Sequence, residues 1–141
     1  MTLYLASQIG SDITDTGVNV NYGSGYSVTT SSQAIVVDGT TATTDLLLNE
    51  RVYKSDGTFV GTCTAVGSGT GITFGGGLEV ALVDDDDLYT GTRYTLYDQI
   101  TIPAKSTLKL EQDEISFDNA KHDLYCKSGD SDGQLVFTFI Y

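Results

Sequence analysis

The apolar residues of this chain come in short β-branched or aromatic runs, and each run is stopped within a few positions by glycine or a turn pair. The stretch Glu50–Leu88, ERVYKSDGTFVGTCTAVGSGTGITFGGGLEVALVDDDDL, shows the rhythm best. Arg51-Val52-Tyr53 stops at Ser55-Asp56-Gly57, Thr58–Val66 stops at Gly67–Gly71, and Ile72-Thr73-Phe74 stops at Gly75-Gly76-Gly77. A helix needs about ten or more residues of unbroken 3.6-residue periodicity, whereas a strand needs only about four to eight. The punctuation therefore predicts an all-β fold, an antiparallel sandwich or barrel of short strands with little or no helix. At 141 residues the chain has the size of one domain. The expected organisation is a single domain over 1–141, with 40–91 forming a small barrel-like lobe at its centre.

The flanking segments carry weaker versions of the same pattern. Thr2–Ala6 reads as an opening strand or arm and Ser11–Gly17 as a polar linker. Val18–Tyr22 alternates with period 2, as a half-buried strand does. Tyr26–Thr30 reads as a short strand, and Ala34–Val37 as a strand closed by the turn pair Asp38-Gly39. Leu46-Leu47-Leu48 could open a helix, but Asn49 and the β-type run behind it argue against one. Tyr53 and Phe59 flank a turn, which predicts a hairpin. Leu78–Val83 is the one place where a helical turn is expected, with an irregular segment as the alternative. Asp84–Asp87 reads as a surface loop. Further strands are expected around Tyr94 and Leu96, with Gln99–Ile102 as a further strand of a pair, over Ser106–Leu110, at Ile115 and Phe117, over Leu124–Cys126 and over Gln134–Tyr141.

Charge removes several classes of function. There are 19 acidic residues against 7 basic ones, a net charge of −12. So few cations cannot line a groove for nucleic acid, and the excess of carboxylates opposes anionic lipid. No apolar run approaches the ~20 residues that span a bilayer as a helix, and Met1–Ile9 lacks the basic start of a signal peptide. Nucleic acid and membrane are therefore not expected partners. Cys63 and Cys126 have no metal-type spacing; two buried thiols are expected rather than a disulfide.

The residues that could carry chemistry are few. His122 is the single histidine, with no nucleophile beside it in sequence, and reads as a turn or edge residue. Four consecutive carboxylates, Asp84, Asp85, Asp86 and Asp87, are the candidates for a cation, because Ca²⁺ takes several oxygen ligands. The run lacks the glycine and glutamate of an EF-hand loop, and successive side chains on an extended chain point opposite ways. A solvated loop, or a patch that docks on a partner's Lys and Arg, is the simpler reading. Asp113 and Glu114 are adjacent acids without an evident sugar platform, since the chain has no Trp. Gly67–Gly71 resembles a phosphate loop only in its glycines; no GxxxxGK[ST] occurs. No catalytic residue, cofactor or metal is expected, and the chain does not read as an enzyme. Tyr4, Tyr89, Tyr94 and Tyr141 are candidate partner contacts, since Tyr is enriched at protein interfaces.

One resemblance adds a function. The segment from Thr43 to Gly91 resembles a module of small virion structural proteins of marine tailed phages, particularly cyanophages. The matching residues are Val52-Tyr53, Ser55-Asp56-Gly57, Phe59, Gly61, Ile72-Thr73-Phe74, Gly76-Gly77-Leu78 and Asp87-Leu88-Tyr89. ITIPAKSTLKLEQDEI is similar to a strand–turn–strand unit of the same class, and LVFTFIY to its closing strand. The resemblance implies a capsid decoration or cement protein on the outer surface of the virion, made in the host cytoplasm. Its implied partners are the major capsid protein and copies of itself, a trimer being one arrangement. A neck, tail or fibre component is the nearest alternative. A glycan-binding host-attachment module is the alternative from another class.

Overall fold

The computed structural model describes residues 1–128 apart from 22, 24, 39–45, 68–69, 104–105 and 112–113. Its described residues form nine strands and no helix: β1 Thr2–Ser7, β2 Ile13–Asn19, β3 Gln33–Val36, β4 Arg51–Tyr53, β5 Phe59–Val66, β6 Gly71–Gly75, β7 Asp87–Gly91, β8 Arg93–Tyr97 and β9 His122–Lys127. The fold is all-β, with one sheet of three strands and one of six. The chain divides into two compact units, Ser7–Thr92 and Met1–Ala6 with the segment from Arg93 onward, where sequence alone suggested one domain.

The larger unit holds the six-stranded sheet, in the order β2-β7-β4-β5-β6-β3, with every named pair antiparallel. Its two outer strands meet. Val20, just past β2, and Val37, just past β3, form an antiparallel bridge. The Asn21 amide donates to the Val36 carbonyl at 2.9 Å, and the Asp38 amide to the Asn19 carbonyl at 2.8 Å. The sheet thus closes on itself as a barrel, which satisfies edge groups that an open sheet would expose. Strand periodicity sends alternate residues inward. Val18, Val20, Ile35, Val37, Val52, Val60, Cys63, Ile72, Phe74 and Leu88 form one buried cluster with Leu46, Leu78 and Leu82. The barrel draws β2 and β3 from upstream of the expected lobe at 40–91.

Two devices make so narrow a barrel close. β5 shifts register against β6 between Cys63 and Ala65, a bulge that bends the strand. Gly61 admits the Phe74 ring, an atom of which would lie 2.9 Å from a Cβ placed there. The β4–β5 hairpin forms as its flanking aromatics predict, with the Tyr53 and Phe59 rings 5.7 Å apart.

Several sequence expectations give way. Ser11–Gly17 is not a linker: β2 begins at Ile13, because its backbone pairs with β7 despite polar side chains. Tyr26–Thr30 contributes only the bridge Tyr26–Leu82. Leu78–Val83 is the irregular segment rather than a helical turn; its backbone bonds go to Val60 of β5, from Glu79 N–H, and to Tyr26, from Leu82 N–H, while Leu78 and Leu82 fill the core. Asp87 belongs to β7 rather than to a loop. Gln99–Ile102 is not a strand, and the described residues of 106–117 hold none either; the bonds of the latter close local turns such as Ser106 N–H to Pro103. Gln134–Tyr141 lies outside the described residues.

In the smaller unit β1 is central, with β8 and β9 on either side. Leu3, Tyr4, Leu5 and Ala6 are buried in succession, as both faces of a central strand can be. Tyr4 stacks on Tyr125 of β9, with centroids 5.4 Å apart.

The loop after β6 supplies a test. Gly76 and Gly77 both have positive φ, +77° and +95°. A Cβ at Gly77 would lie 1.7 Å from the Thr29 carbonyl oxygen, while one at Gly76 meets nothing within 4 Å. Gly76→Ala is expected to cost about 1 kcal/mol, from φ alone. Gly77→Ala should cost roughly 3 kcal/mol or more, because backbone must move. Urea denaturation of the two variants separates the effects.

Candidate functional site

The segment Leu82–Tyr89 gathers the candidate residues of the barrel. Its backbone is held from both sides: Val20 N–H donates to the Asp86 carbonyl and Asp85 N–H to the Val20 carbonyl, each at 2.9 Å. Asp84 and Asp85 form the turn, with Asp85 at φ +65°, a conformation that Asp tolerates better than most residues. The four carboxylates do different things. One Asp86 oxygen accepts from the Val83 amide at 2.8 Å and from Lys54 Nζ at 2.9 Å. Asp84, Asp85 and Asp87 are exposed. No group of three or more His, Cys, Asp or Glu side chains able to hold a metal ion occurs among the described residues.

Lys54 comes from the β4–β5 turn, whose own bonds fix it: Gly57 N–H donates to the Lys54 carbonyl, and Lys54 N–H to Thr58. In that turn the Asp56 carboxyl is held below its ordinary range by hydrogen bonds from Thr58, first from the side chain and then from the backbone. The ion pair therefore ties the acidic turn to the hairpin. Beside it, β7 carries Tyr89. Partial burial, and then the charges of Asp15 and Asp87, push its phenol above the ordinary value.

The tyrosines expected as contacts are not equivalent. Tyr4 is buried and stacked within its own unit, so it is not presented to a partner. Tyr89 is half-buried. Tyr94 is 46% exposed on β8, edge-on to His122 with centroids 5.9 Å apart. Tyr141 lies outside the described residues, as does Asp113 of the acid pair. Glu114 serves a local turn, accepting from the Glu111 amide at 2.7 Å. His122 opens β9, a strand at the edge of the described three-stranded sheet, and its Nδ1 is buried with no hydrogen-bond partner among the described residues.

Of two buried groups in the barrel, Glu50 had little sequence signal, whereas Cys63 is the buried free thiol expected. Glu50 is 1% exposed, and its carboxylate accepts from the Leu47 amide at 3.0 Å. It closes the turn that carries Asn49 at φ +66°, which is why the leucine run does not become a helix. Cys63 is a free thiol inside the barrel; Cys126 is also free but only half-buried. Burial first, and then the charge of Glu50, push the Cys63 thiol up to about 11. Burial also raises the Cys126 thiol.

Compared with protein-family models, curated proteins and solved structures, the chain matches none.

The Cys63 shift fixes a pH dependence. A group whose folded pKa is raised contributes stability that is intact below its unfolded value and lost as pH rises toward the folded one. Between pH 9.0 and about 11 the unfolded thiol ionises first, so stability should fall by about 2–3 kcal/mol across that window. Cys63→Ala should remove that component, measured by denaturation at a series of pH values against the wild-type chain.

Glu50 supplies a second test. Glu50→Ala should cost about 2 kcal/mol by orphaning the Leu47 amide. Glu50→Gln, which keeps an acceptor and removes the charge, should lower the pH at which Cys63 becomes alkylated by iodoacetamide in a Cys126→Ser background.

Proposed function

We propose that this chain is a structural component of a tailed-phage virion, a capsid decoration protein that binds the outside of the major capsid shell and stabilises it. The observation that carries the reading is where the phage-like residues fall. Val52-Tyr53, Ser55-Asp56-Gly57, Phe59, Gly61, Ile72-Thr73-Phe74 and Asp87-Leu88-Tyr89 lie on the adjacent strands β7-β4-β5-β6 and the β4–β5 turn. Gly76-Gly77-Leu78 forms the loop tucked under Thr29 and delivers Leu78 to the core. The residues behind the resemblance within Thr43–Gly91 thus supply four of the six strands of a barrel whose interior is filled by its own side chains.

A rigid scaffold of this kind acts through its surface. Arg51 and Lys54 are the only basic residues between Ser7 and Thr92, and Lys54 already pairs with Asp86. The exposed carboxylates Asp84, Asp85 and Asp87 complement a basic protein surface rather than nucleic acid or anionic lipid. Binding only the assembled shell would stabilise it by mass action. The partners in this reading are the major capsid protein and further copies of this chain, which could meet as a trimer at local threefold positions. The reading assigns no reaction and no cofactor.

Counting copies tests the reading. In purified virions of the phage that encodes the chain, separated into heads and tails, it should be found on heads at hundreds of copies each. A single ring of copies at the neck or tail would make it a connector or tail component instead. Saturable binding to one sugar on a glycan array, with no copies on heads, would make it an attachment module.

A further inference from the structure

We infer that the exposed side chains of Val36 and Val83, bridged by Tyr26, which is half-buried and packs against the core, form a docking surface for a basic protein segment, one that presents an aliphatic side chain flanked by Lys or Arg. The inference rests on the decoration reading, for which it names the contact surface and the chemistry of the partner.

The three residues are joined. Tyr26 exchanges two backbone hydrogen bonds with Leu82, at 2.6 and 3.0 Å, and its hydroxyl accepts from the Val36 amide at 2.8 Å. Val83 Cγ1 would lie 3.7 Å from a Cβ on Gly25, so its side chain stands over the residue before Tyr26. Val36 is 43% exposed and Val83 57%. Val36 points outward because its neighbours Ile35 and Val37 fill the core, and Val83 because Leu82 does. Backbone bonding fixes all three, and a β-branched side chain has little rotamer freedom left to lose. Apolar area on such a frame binds with a small ordering cost.

Charge selects the occupant. Asp84 and Asp85, both exposed, follow Val83 directly. Asp38, also exposed, lies two residues past Val36 and is held by the Asn21 side chain. The nearest backbone link between these acids is Val20, which pairs with Val37 on one side and with Asp85 on the other. An apolar centre with carboxylates at its rim repels polyanions. A second copy of the same face would set Asp against Asp. A segment with Lys or Arg around one aliphatic residue meets both requirements.

The test is a titration of the isotopically labelled full chain, followed by amide chemical shifts, with three synthetic peptides: Lys-Val-Leu-Val-Lys, Lys-Ser-Ser-Ser-Lys and Glu-Val-Leu-Val-Glu. The first should shift Tyr26, Val36, Val83, Asp84 and Asp85. The second should bind at least about tenfold more weakly, and the third should leave these amides unmoved. The double variant Val36→Ser/Val83→Ser should weaken the first peptide by about fivefold or more with an unchanged circular dichroism spectrum. Equal binding of the first two peptides would reduce the surface to bare charge and overturn the inference. So would shifts on another face, an unaffected double variant, or no shifts at millimolar peptide. The two proposals fail separately. Head location of the native chain with a negative titration removes this surface and leaves the decoration reading, whereas tail location removes that reading whatever the peptides do.

Discussion

The Val20–Val37 bridge is the contact on which the larger unit depends. Without it, β2 and β3 would be free edges of an open, twisted sheet, and the side chains on its concave face would meet water rather than one another. With it, Val18, Ile35, Phe74 and Leu88 surround a common interior. Closing a sheet of only six strands leaves little interior volume, so the large Phe74 ring needs a neighbour without a side chain, which Gly61 supplies. The bulge in β5 and the glycine loop after β6 answer the same demand for curvature. Loop geometry in this unit is therefore a consequence of closure.

Closure also sets where charge can go. Among the described residues of this unit the buried side chains are apolar apart from Ser7, Glu50 and Thr90. The Ser7 hydroxyl donates to the Asp12 carbonyl, Glu50 closes the turn from Leu47, and Thr90 lies on β7 opposite Val52 of β4. The remaining carboxylates are left on the outside with few cations to meet them. Lys54 is one of the two basic residues of the unit, and its partner Asp86 also accepts from the Val83 amide. That pair is partly solvated, so its direct contribution is modest, about 1 kcal/mol or less. Its larger consequence is geometric, because it orients the turn and leaves the neighbouring acids facing solvent.

Most of the barrel was legible in the sequence because its signals are local. Tyr53 and Phe59 around Ser55-Asp56-Gly57 announce a hairpin, and Gly75-Gly76-Gly77 announces the end of β6. Non-local pairing was not legible. β2 is built on ITDTGVN, which has a linker's composition and becomes a strand only because β7 lies beside it. Conversely, Ser106–Leu110 alternates as a strand should and is not one, since alternation describes a face without naming a partner for the backbone. At the candidate site, the acidity of Asp84–Asp87 was visible, but the difference between Asp86 and its neighbours depends on Lys54, far away in sequence. Tyr4 was offered as a contact on residue type alone, and its burial against Tyr125 depends on a strand far away in sequence.

The segment Leu82–Asp87 joins these arguments, because consecutive residues serve opposite demands. Leu82 must face inward to fill the barrel, so Val83 must face out. Asp85 must donate its amide to Val20 and the Asp86 carbonyl must accept from it, so the turn cannot swing away. Asp86 must reach Val83 and Lys54, so Asp84 and Asp85 remain at the rim of the exposed valine. An aliphatic side chain bordered by carboxylates is thus a by-product of the constraints that hold the barrel shut. A substitution that loosens the Asp86 anchor should disturb this face more than it disturbs the core, since the core retains Leu82 and the Val20–Val37 bridge through independent contacts.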